Sequence, residues 1–319
     1  STMKFSFFDF TADDLKKHLT EQGLTGFGAI QIFDWVYRNM EFNPENWSNV
    51  AKATREYFLT HIDMNLPTIV WQGLSKDGTR KFLVKMNDGQ TVETVAIPAR
   101  DRLTLCVSSQ VGCAVGCTFC HTATQGLKRH LKTSEVVGQF MTVQKWLIEN
   151  ESPEAKLTNI VYMGQGEPLH NYENMKKATL IFMTEKGIGF GQRRITLSTS
   201  GLVPAIEKLA VDFPPVNIVE KTNSYDIKLN APGFDKADFS VKLDANILTI
   251  SGDKREKVKD ETAKSIRKEF TLKTFKRSFT VDEKIDSTNI AAKYENGILT
   301  VELPKKEEAK IAAKEIIIQ

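Results

Sequence analysis

The chain has 319 residues, of which 41% are hydrophobic and 26% are charged, and its formal net charge at pH 7 is +3. This length suits two domains better than one core, and so small a net charge excludes an argument for nucleic-acid binding from composition alone. No stretch approaches the roughly 18 uninterrupted apolar residues of a membrane helix, and the start lacks the apolar core of a signal peptide, so we expect a cytoplasmic protein without membrane contact.

Residues 3–66 are predicted to form a helical accessory domain. The segment FTADDLKKHLTEQG begins near Thr11, a suitable N-cap, and ends at Gly23, while AIQIFDWVYRNM places apolar residues near helical spacing. An amphipathic packing face explains this second pattern, and we assign no chemistry to it.

From residue 68 to residue 107 the pattern changes to an alternation with period two. Asp77-Gly78 and Asp88-Gly89 are typical of hairpin turns, and they separate runs such as RKFLVKM and TVETVAI. These predicted strands lead directly into the segment that holds the cysteines.

All four cysteines of the chain, Cys106, Cys113, Cys117 and Cys120, lie in one short segment. Such clustering indicates a metal or cofactor site in a reducing compartment, because stabilising disulfides would be spread along the chain. The last three form a C-x3-C-x2-C run, whose thiolates can bind three irons of a 4Fe-4S cluster. A zinc site is the alternative, but structural zinc usually has four protein ligands.

The fourth iron of such a cluster stays open, and it can bind the amino and carboxylate groups of S-adenosylmethionine. Two histidines near the cysteines, His121 and His130, are further ligand candidates. For each of them, exposure to solvent is the expected state.

Two further segments place polar residues at the ends of predicted strands. LTNIVYMG leads into GQGEP at 164–168, where glycines allow close backbone approach and a carboxylate can accept a ligand's ammonium group. Residues 172–186 are predicted as a helix, and RRITLSTSG as a strand with Ser198 and Ser200 at its C-terminal end. Parallel barrels bind ligands at such strand ends. An ordinary turn hydroxyl is the alternative for either serine.

Three segments together carry a family resemblance: LCVSSQVGCAVGCTFCHTATQG, VYMGQGEP and RRITLSTSG. They resemble the radical-SAM methyltransferases that methylate carbon 2 of adenine in 23S ribosomal RNA and transfer RNA. The resemblance covers roughly residues 4–210. It implies a 4Fe-4S cluster and S-adenosyl-L-methionine as cofactors. The residues it assigns to the cluster are Cys113, Cys117 and Cys120, and those it assigns to S-adenosyl-L-methionine are Gly166, Glu167 and Ser198.

The same resemblance implies two catalytic residues. Glu93, in the VETV segment, matches the proton acceptor of the family, and Cys106 matches the thiol that resolves a covalent intermediate. The alternatives are a solvated strand carboxylate for Glu93 and a small buried apolar residue for Cys106.

The family mechanism also needs a second, distal cysteine that carries the methyl group, and the sequence has none after Cys120. After LVPAIEKLA the chain reads VDFPPVNIVEKTNSYDIKLNAPGF instead of further strand-helix units. We therefore expect residues 67–211 to form a partial radical-SAM (β/α) barrel with about three such units. Half a parallel sheet leaves a strand edge and an apolar face uncovered.

Residues 212–304 are predicted to form a module of β-strands. FSVKLDANILTISGDK is a hairpin that turns near 244–246, and NIAAKYENGILTVELPK is a hairpin with Asn296-Gly297 at its turn. Several short strands with regular turns predict an antiparallel sandwich. The fold class of the whole chain is thus multidomain, α/β followed by all-β.

Several features of the second half carry another resemblance: NAPGF, Gly297 with Ala292 upstream, and Ile316 with Ile318 in the tail. Nearly all of residues 215–319 resemble the small heat-shock proteins. This resemblance implies an immunoglobulin-like sandwich, the alpha-crystallin domain, and ATP-independent holding of unfolding clients. It also implies dimerisation by strand exchange in the loop around 253–268.

The C-terminal extension, residues 305–319, carries an I-x-I motif. Its two isoleucines, Ile316 and Ile318, are expected to dock in a neighbour's groove and so promote oligomerisation. Phe275 and Phe279 are predicted as core residues rather than client-binding ones.

The sequence therefore predicts a fusion of two functions. The first is a truncated radical-SAM RNA methyltransferase module that binds a cluster but does not complete methyl transfer. The second is a small heat-shock chaperone domain. A functional RNA-methylating enzyme and a pure holdase with a vestigial N-terminal module are the alternatives. The expected partners are ribosomal or transfer RNA, further copies of the chain and unfolding client proteins.

Overall fold

The structure of the protein is a computed structural model. It describes residues 4–113, 126–199, 205, 208, 209, 212, 213, 216–257, 270–281 and 283–307. The chain divides into two compact units, residues 1–202 and residues 203–319. No helix in these described ranges is long and apolar enough to cross a membrane.

The N-terminal unit begins with a helical segment, as predicted. Its parts are β1 (Phe5–Ser6), α1 (Ala12–Glu21), α2 (Gly28–Phe33), α3 (Lys52–His61) and β2 (Ile62–Asp63). The side chain of Thr11 caps α1 by accepting a hydrogen bond from the Asp14 N–H at 3.1 Å. Buried aromatic side chains fill the space between the helices: Phe7, Phe8, Phe33, Trp47 and Phe58.

A six-stranded sheet follows, with strand order β10-β9-β6-β5-β4-β3. The strands of this sheet are β3 (Thr68–Leu74), β4 (Arg80–Lys85), β5 (Thr91–Ala99), β6 (Arg102–Cys106), β9 (Asn159–Tyr162) and β10 (Ile195–Leu197). Strands β3 to β6 pair antiparallel through the predicted hairpins, and β6, β9 and β10 pair parallel. A short antiparallel pair, β7 (Gln110–Val111) with β8 (Arg129–His130), lies between β6 and β9 in the chain.

Two helices, α4 (Thr133–Asn150) and α5 (Tyr172–Met183), cover one face of this sheet. Their contacts include the Thr94 Oγ1 to Gln139 Oε1 hydrogen bond of 2.8 Å and the Tyr162 hydroxyl to Thr179 Oγ1 contact of 2.8 Å. The strand residues that face these helices are buried: Phe82, Val92, Thr94, Ala96, Leu105, Ile160 and Tyr162.

The opposite face of the sheet is only partly covered, and we call it the open face. The alternation of burial along the strands assigns to it Trp71, Lys81, Leu83, Glu93, Val95, Ile97, Cys106 and Val161. All of them are half-buried or exposed. The sheet therefore has a stable side that the helices bury and a side on which functional groups can meet a ligand.

The C-terminal unit is an antiparallel sandwich, as predicted. One sheet has the order β11-β12-β17-β16 and the other β13-β14-β15. The strands are β11 (Val216–Glu220), β12 (Ser224–Asn230), β13 (Phe239–Asp244), β14 (Ile247–Lys257), β15 (Phe270–Thr280), β16 (Ala291–Glu295) and β17 (Ile298–Pro304).

Sequence signals for its turns and core agree with the structure. Asn296 and Gly297 both have positive φ, 50° and 76°, as the two-residue turn between β16 and β17 requires. Phe275 is buried, and Phe279 packs against the same core. The core consists of Ile227, Leu229, Ala231, Phe234, Leu248, Ile250, Phe275, Ile285, Leu299, Val301 and Leu303.

One boundary differs from the prediction. The loop expected around 253–268 starts later, because residues 253–257 continue β14 and pair with β15 up to Lys257 opposite Phe270. Backbone pairing extends this hairpin although its sequence is highly charged, since ladder hydrogen bonds do not depend on apolar side chains. Residues 258–269 and the I-x-I tail, with Ile316 and Ile318, lie outside the described residues.

Candidate active site

Two loops at the ends of parallel strands form the centre of the candidate site. The segment after β6 and the segment after β9 continue side by side beyond the sheet: Gly164 N donates to Val107 O at 3.0 Å and Ser109 N donates to Gln165 O at 2.9 Å. The carboxyl ends of neighbouring parallel strands are the usual place for a ligand in α/β folds. The GQGEP segment therefore lies where the sequence predicted it.

Two glycines of this segment pass very close to the neighbouring loop. A Cβ atom on Gly164 would lie 2.5 Å from Ser108 Oγ, and one on Gly166 would lie 2.5 Å from Gln110 Cβ and 2.9 Å from its backbone nitrogen. Gly166 also has φ of +97°, which residues with a side chain rarely adopt. The two loops can thus approach each other only because both positions are glycine.

Glu167 is the buried carboxylate of the site, with 4% of its surface exposed. Its backbone N–H donates to Gln110 Oε1 at 2.8 Å. Its Oε1 accepts hydrogen bonds from Leu169 N at 3.1 Å and from Thr199 Oγ1 at 2.8 Å. Because Thr199 follows β10, this carboxylate connects the ends of β9 and β10.

Ser198, the predicted cofactor contact, directly follows β10 and is exposed beside Thr199. Thr199 was not among the predicted site residues, although it lies in the TLSTS motif that was used for the prediction. Ser200 lies outside the described residues. The structure therefore brings Glu167 and the end of β10 together through a residue that the pattern contained but did not single out.

A buried amide supports the loop from the helical side of the sheet. The Gln139 side chain is fully buried, and its Oε1 accepts from Ser108 N at 2.9 Å and from Thr94 Oγ1 at 2.8 Å. Its Nε2 donates to Ser108 O at 2.9 Å. Asn171 also supports this loop, because its Nδ2 donates a hydrogen bond to Ser109 O at 2.8 Å. Such fully satisfied buried networks hold a loop in one geometry.

We call the GQGEP segment and the loop after β6 the cradle. Among the described residues, one polar atom of this cradle lacks a partner. Gln165 Oε1 is buried and, within the described part of the chain, accepts no hydrogen bond. An unsatisfied buried acceptor costs about 1–3 kcal/mol, so a donor from a bound molecule stabilises it. The ammonium group of S-adenosyl-L-methionine is such a donor, and the buried Glu167 carboxylate nearby has the matching charge. The residues of the cradle therefore fit this cofactor.

The two described ends of the cysteine loop, Cys113 and Gly126, meet in a narrow neck. Cys113 N donates to Gly126 O at 3.2 Å, and the β7–β8 pair lies just inside this contact. A Cβ on Gly112 would lie 1.8 Å from Gly126 O, so only glycine fits there. Cys113 is half-buried at the neck, while Cys117, Cys120 and His121 lie outside the described residues.

The neck is anchored by charge and by an exposed histidine. Arg129 of β8 makes a bidentate contact with Glu135 at 2.7 Å and also binds Asp88 at 2.8 Å. His130 is exposed, as expected, and its Nδ1 lies 2.9 Å from Gln110 Nε2. The structure therefore describes the two ends of the cysteine loop and one of its three predicted cluster ligands, Cys113.

Cys106 and Glu93 lie on the open face. Cys106 pairs with Val95, so Glu93 occupies a diagonal position on the neighbouring strand, at a separation on the order of 7 Å. Burial raises the pKa of the Cys106 thiol, and a backbone hydrogen bond from Met163 opposes this shift. Glu93 is half-exposed and forms an ion pair of 3.2 Å with Lys81. A protonated thiol and a carboxylate therefore share one surface.

Family comparisons agree with both units. Residues 5–62 match the ribosomal RNA large subunit methyltransferase N-terminal domain, residues 107–215 match the radical SAM superfamily, and residues 217–319 match the Hsp20/alpha crystallin family. Both resemblances predicted from the sequence are confirmed. The chain joins a radical-SAM methyltransferase-like region to an alpha-crystallin domain.

Individual relatives show how much of each family is present. A dual-specificity RNA methyltransferase RlmN from Bdellovibrio bacteriovorus is 43% identical over 64% of this chain and 50% of its own length. A radical SAM methyltransferase structure from Sphaerobacter thermophilus is 41% identical with a TM-score of 0.58, and the match covers 65% of this chain and 60% of that one. The chain thus spans about half to three fifths of these relatives.

The C-terminal unit has solved relatives of its own. A small heat-shock protein from Xylella fastidiosa is 30% identical over 33% of this chain and 94% of its own chain, with a TM-score of 0.25. The match covers nearly the whole of that smaller protein.

The glycine cradle gives a direct prediction. We expect Gly166→Ala to weaken binding of S-adenosyl-L-methionine roughly 10- to 100-fold, because the substitution adds backbone strain and pushes the GQGEP segment away from Gln110. Isothermal titration of the reconstituted protein measures the affinity. Gly89→Ala is the matched control: its φ is +83°, but no atom lies within 4 Å of the added Cβ. Equal cofactor affinities of the two variants would contradict the assignment.

Proposed function

We propose that the N-terminal unit is a radical-SAM module of the RNA methyltransferase type, held in a cytoplasmic protein that is also a small heat-shock chaperone. In this proposal Cys113, Cys117 and Cys120 bind a 4Fe-4S cluster. Gly166, Glu167 and Ser198 bind S-adenosyl-L-methionine, and the substrate class is ribosomal or transfer RNA.

The buried Glu167 carboxylate supports this proposal most directly. It lies at the ends of β9 and β10, beside the two glycines and the unsatisfied Gln165 Oε1. A carboxylate in this position binds a ligand ammonium group through charge-assisted hydrogen bonds, which are about twice as strong as neutral ones. Gly166 lets the GQGEP segment pass close to Gln110 at the same point, and this contact fixes the position of Glu167.

The remaining chemistry is assigned to the open face. Cys113, Cys117 and Cys120 would hold the 4Fe-4S cluster, and the chemistry that it would supply when bound is one-electron reduction of the sulfonium of S-adenosyl-L-methionine. Glu93 occupies the position of the family's proton acceptor, and its ion pair of 3.2 Å with Lys81 orients the carboxylate. Cys106 is the second thiol of the site, and its raised pKa keeps it protonated until a base approaches.

We further propose that this chain does not complete methyl transfer to adenine. The family mechanism needs a distal cysteine that carries the methyl group, and all four cysteines lie between positions 106 and 120. The chain also spans only 50% of the length of its Bdellovibrio relative. Cofactor binding and methyl transfer are therefore separable in this protein.

For the C-terminal unit, we propose ATP-independent holding of unfolding proteins by an oligomer. In its described part the sandwich has its own core and two sheets of paired strands, so residues 212–319 are expected to fold alone as a dimer. Ile316 and Ile318 are proposed to join dimers, because residues spaced by two lie on the same side of an extended segment.

The cluster ligands can be tested one cysteine at a time. After anaerobic reconstitution with iron and sulfide, Cys113→Ala, Cys117→Ala and Cys120→Ala should each lose the cluster, since each removes one of three ligands. Cys106→Ala should retain it, because this thiol belongs to a strand of the sheet. Iron and sulfide content with electronic absorption are the measurements. Equal losses in Cys106→Ala and Cys117→Ala would refute the ligand assignment.

Methyl transfer has a separate test. Reconstituted protein incubated with reductant, S-adenosyl-L-methionine and RNA should give no 2-methyladenine, because no cysteine is present to carry the methyl group. Mass spectrometry of the digested RNA measures the product, with a full-length methyltransferase of the family as positive control. Detection of 2-methyladenine would instead support the alternative that the chain is a complete enzyme.

Assembly tests the chaperone proposal. The double substitution Ile316→Ala with Ile318→Ala should shrink the oligomer of the full chain towards a dimer, as measured by light scattering after size exclusion. Ile317→Ala is the matched control, because the odd residue between two that share one side of an extended segment would face the other side.

Two results would speak against this assignment. An oligomer that does not respond to the double substitution would exclude a role of the I-x-I motif, and so would an equal response to Ile317→Ala. If residues 212–319 alone are unfolded or monomeric, the heat-shock interpretation of this unit is wrong.

A further inference from the structure

Trp71 is a large aromatic residue that the proposed function leaves unexplained. It lies on β3, at the edge of the main sheet, and 54% of its surface is exposed. Its register with Leu83 places it on the open face, and Leu83 in turn pairs with Glu93. The exposed indole therefore belongs to the same surface as the proposed catalytic carboxylate.

Gly73 determines where this indole lies. A Cβ on Gly73 would come within 2.5 Å of the indole Cη2 and 2.8 Å of Cζ2. The ring thus occupies the space above the sheet that a side chain at position 73 would take. Gly73 pairs with Lys81, so the ring extends along β3 towards the row that contains this lysine.

The charges around Trp71 favour a polyanion. Lys81 and Lys85 are exposed on the open face of β4, the strand that pairs with β3. Glu93 is the carboxylate among these open-face residues, and Lys81 contacts it at 3.2 Å. An exposed aromatic ring with cations beside it is the arrangement that binds single-stranded nucleic acid by base stacking and phosphate contacts.

The distance to Glu93 decides which base Trp71 can bind. Trp71 and Glu93 lie two strands apart, which corresponds to roughly 10 Å across the sheet. The two side chains therefore start far enough apart to contact neighbouring nucleotides of one strand. We propose that Trp71 stacks on a nucleotide that flanks the adenine held beside Glu93, with Leu83 between the two and Lys81 two residues away on the same strand. This inference rests on the proposed RNA substrate.

The test measures binding of a labelled single-stranded RNA to the full chain by fluorescence anisotropy. Stacking on an aromatic residue contributes enough that Trp71→Ala should weaken binding roughly 5- to 100-fold. Trp71→Phe should recover most of the affinity. Leu74→Ala is the matched control, because Leu74 is 61% exposed on the same strand but pairs with Arg80, on the helical side of the register. It should bind RNA as the unsubstituted chain does.

RNA with a single abasic position provides the second arm. An abasic site at one position flanking the adenine should weaken binding to the unsubstituted chain. It should not lower the affinity of Trp71→Ala further, because both changes remove the same stack. In Lys81→Ala the magnitude of the slope of log affinity against log salt concentration should fall by about one. This change corresponds to the loss of one phosphate contact.

The outcomes separate this inference from the proposed function. If the unsubstituted chain binds RNA and Trp71→Ala binds equally well, the stacking role is wrong while the RNA substrate stands. A chain that binds no RNA overturns both. If Trp71→Ala leaves RNA binding intact but reduces protection of dithiothreitol-reduced insulin from aggregation, the surface binds unfolded protein and the inference is overturned.

Discussion

The parallel pairing of β6 with β9 is the constraint on which the candidate site depends. It starts in the sheet, where Leu105 lies opposite Ile160, and it continues past both strand ends through backbone hydrogen bonds between the two loops. Gly164 and Gly166 allow this approach, and Gln110 fixes it by accepting a hydrogen bond from Glu167 N. Without that register the carboxylate, the cysteine neck and the end of β10 would not meet.

A buried polar network keeps this register in place. The Gln139 side chain forms hydrogen bonds with both the backbone N–H and the carbonyl of Ser108, and Asn171 Nδ2 donates to the carbonyl of Ser109. Unpaired polar groups in such a position are costly, so the loop has one low-energy arrangement rather than several. The helices α4 and α5 thus do more than cover an apolar face, since they also supply the side chains that orient the site.

The elements of both units could largely be predicted from residue patterns. The N-cap at Thr11, the Asn296-Gly297 turn and the strand before GQGEP each have a local cause that a short sequence window contains. The roles of Gln139 and Thr199 could not be predicted in this way, because each depends on a partner more than thirty residues away in the chain. The charged end of β14 was wrongly predicted as a loop, since its pairing with β15 depends on backbone and not on side-chain polarity. A local residue pattern therefore does not predict hydrogen bonds between residues that are far apart in the chain.

The separation of the two faces of the main sheet has a consequence for how this unit can change over time. The helical face holds the buried residues that stabilise the fold, whereas the open face carries partly solvated side chains such as Leu83 and Val95. Substitutions on the open face therefore have little effect on the free energy of unfolding, as is usual for exposed positions. Selection or an engineer can alter ligand preference there one residue at a time while the scaffold keeps its stability.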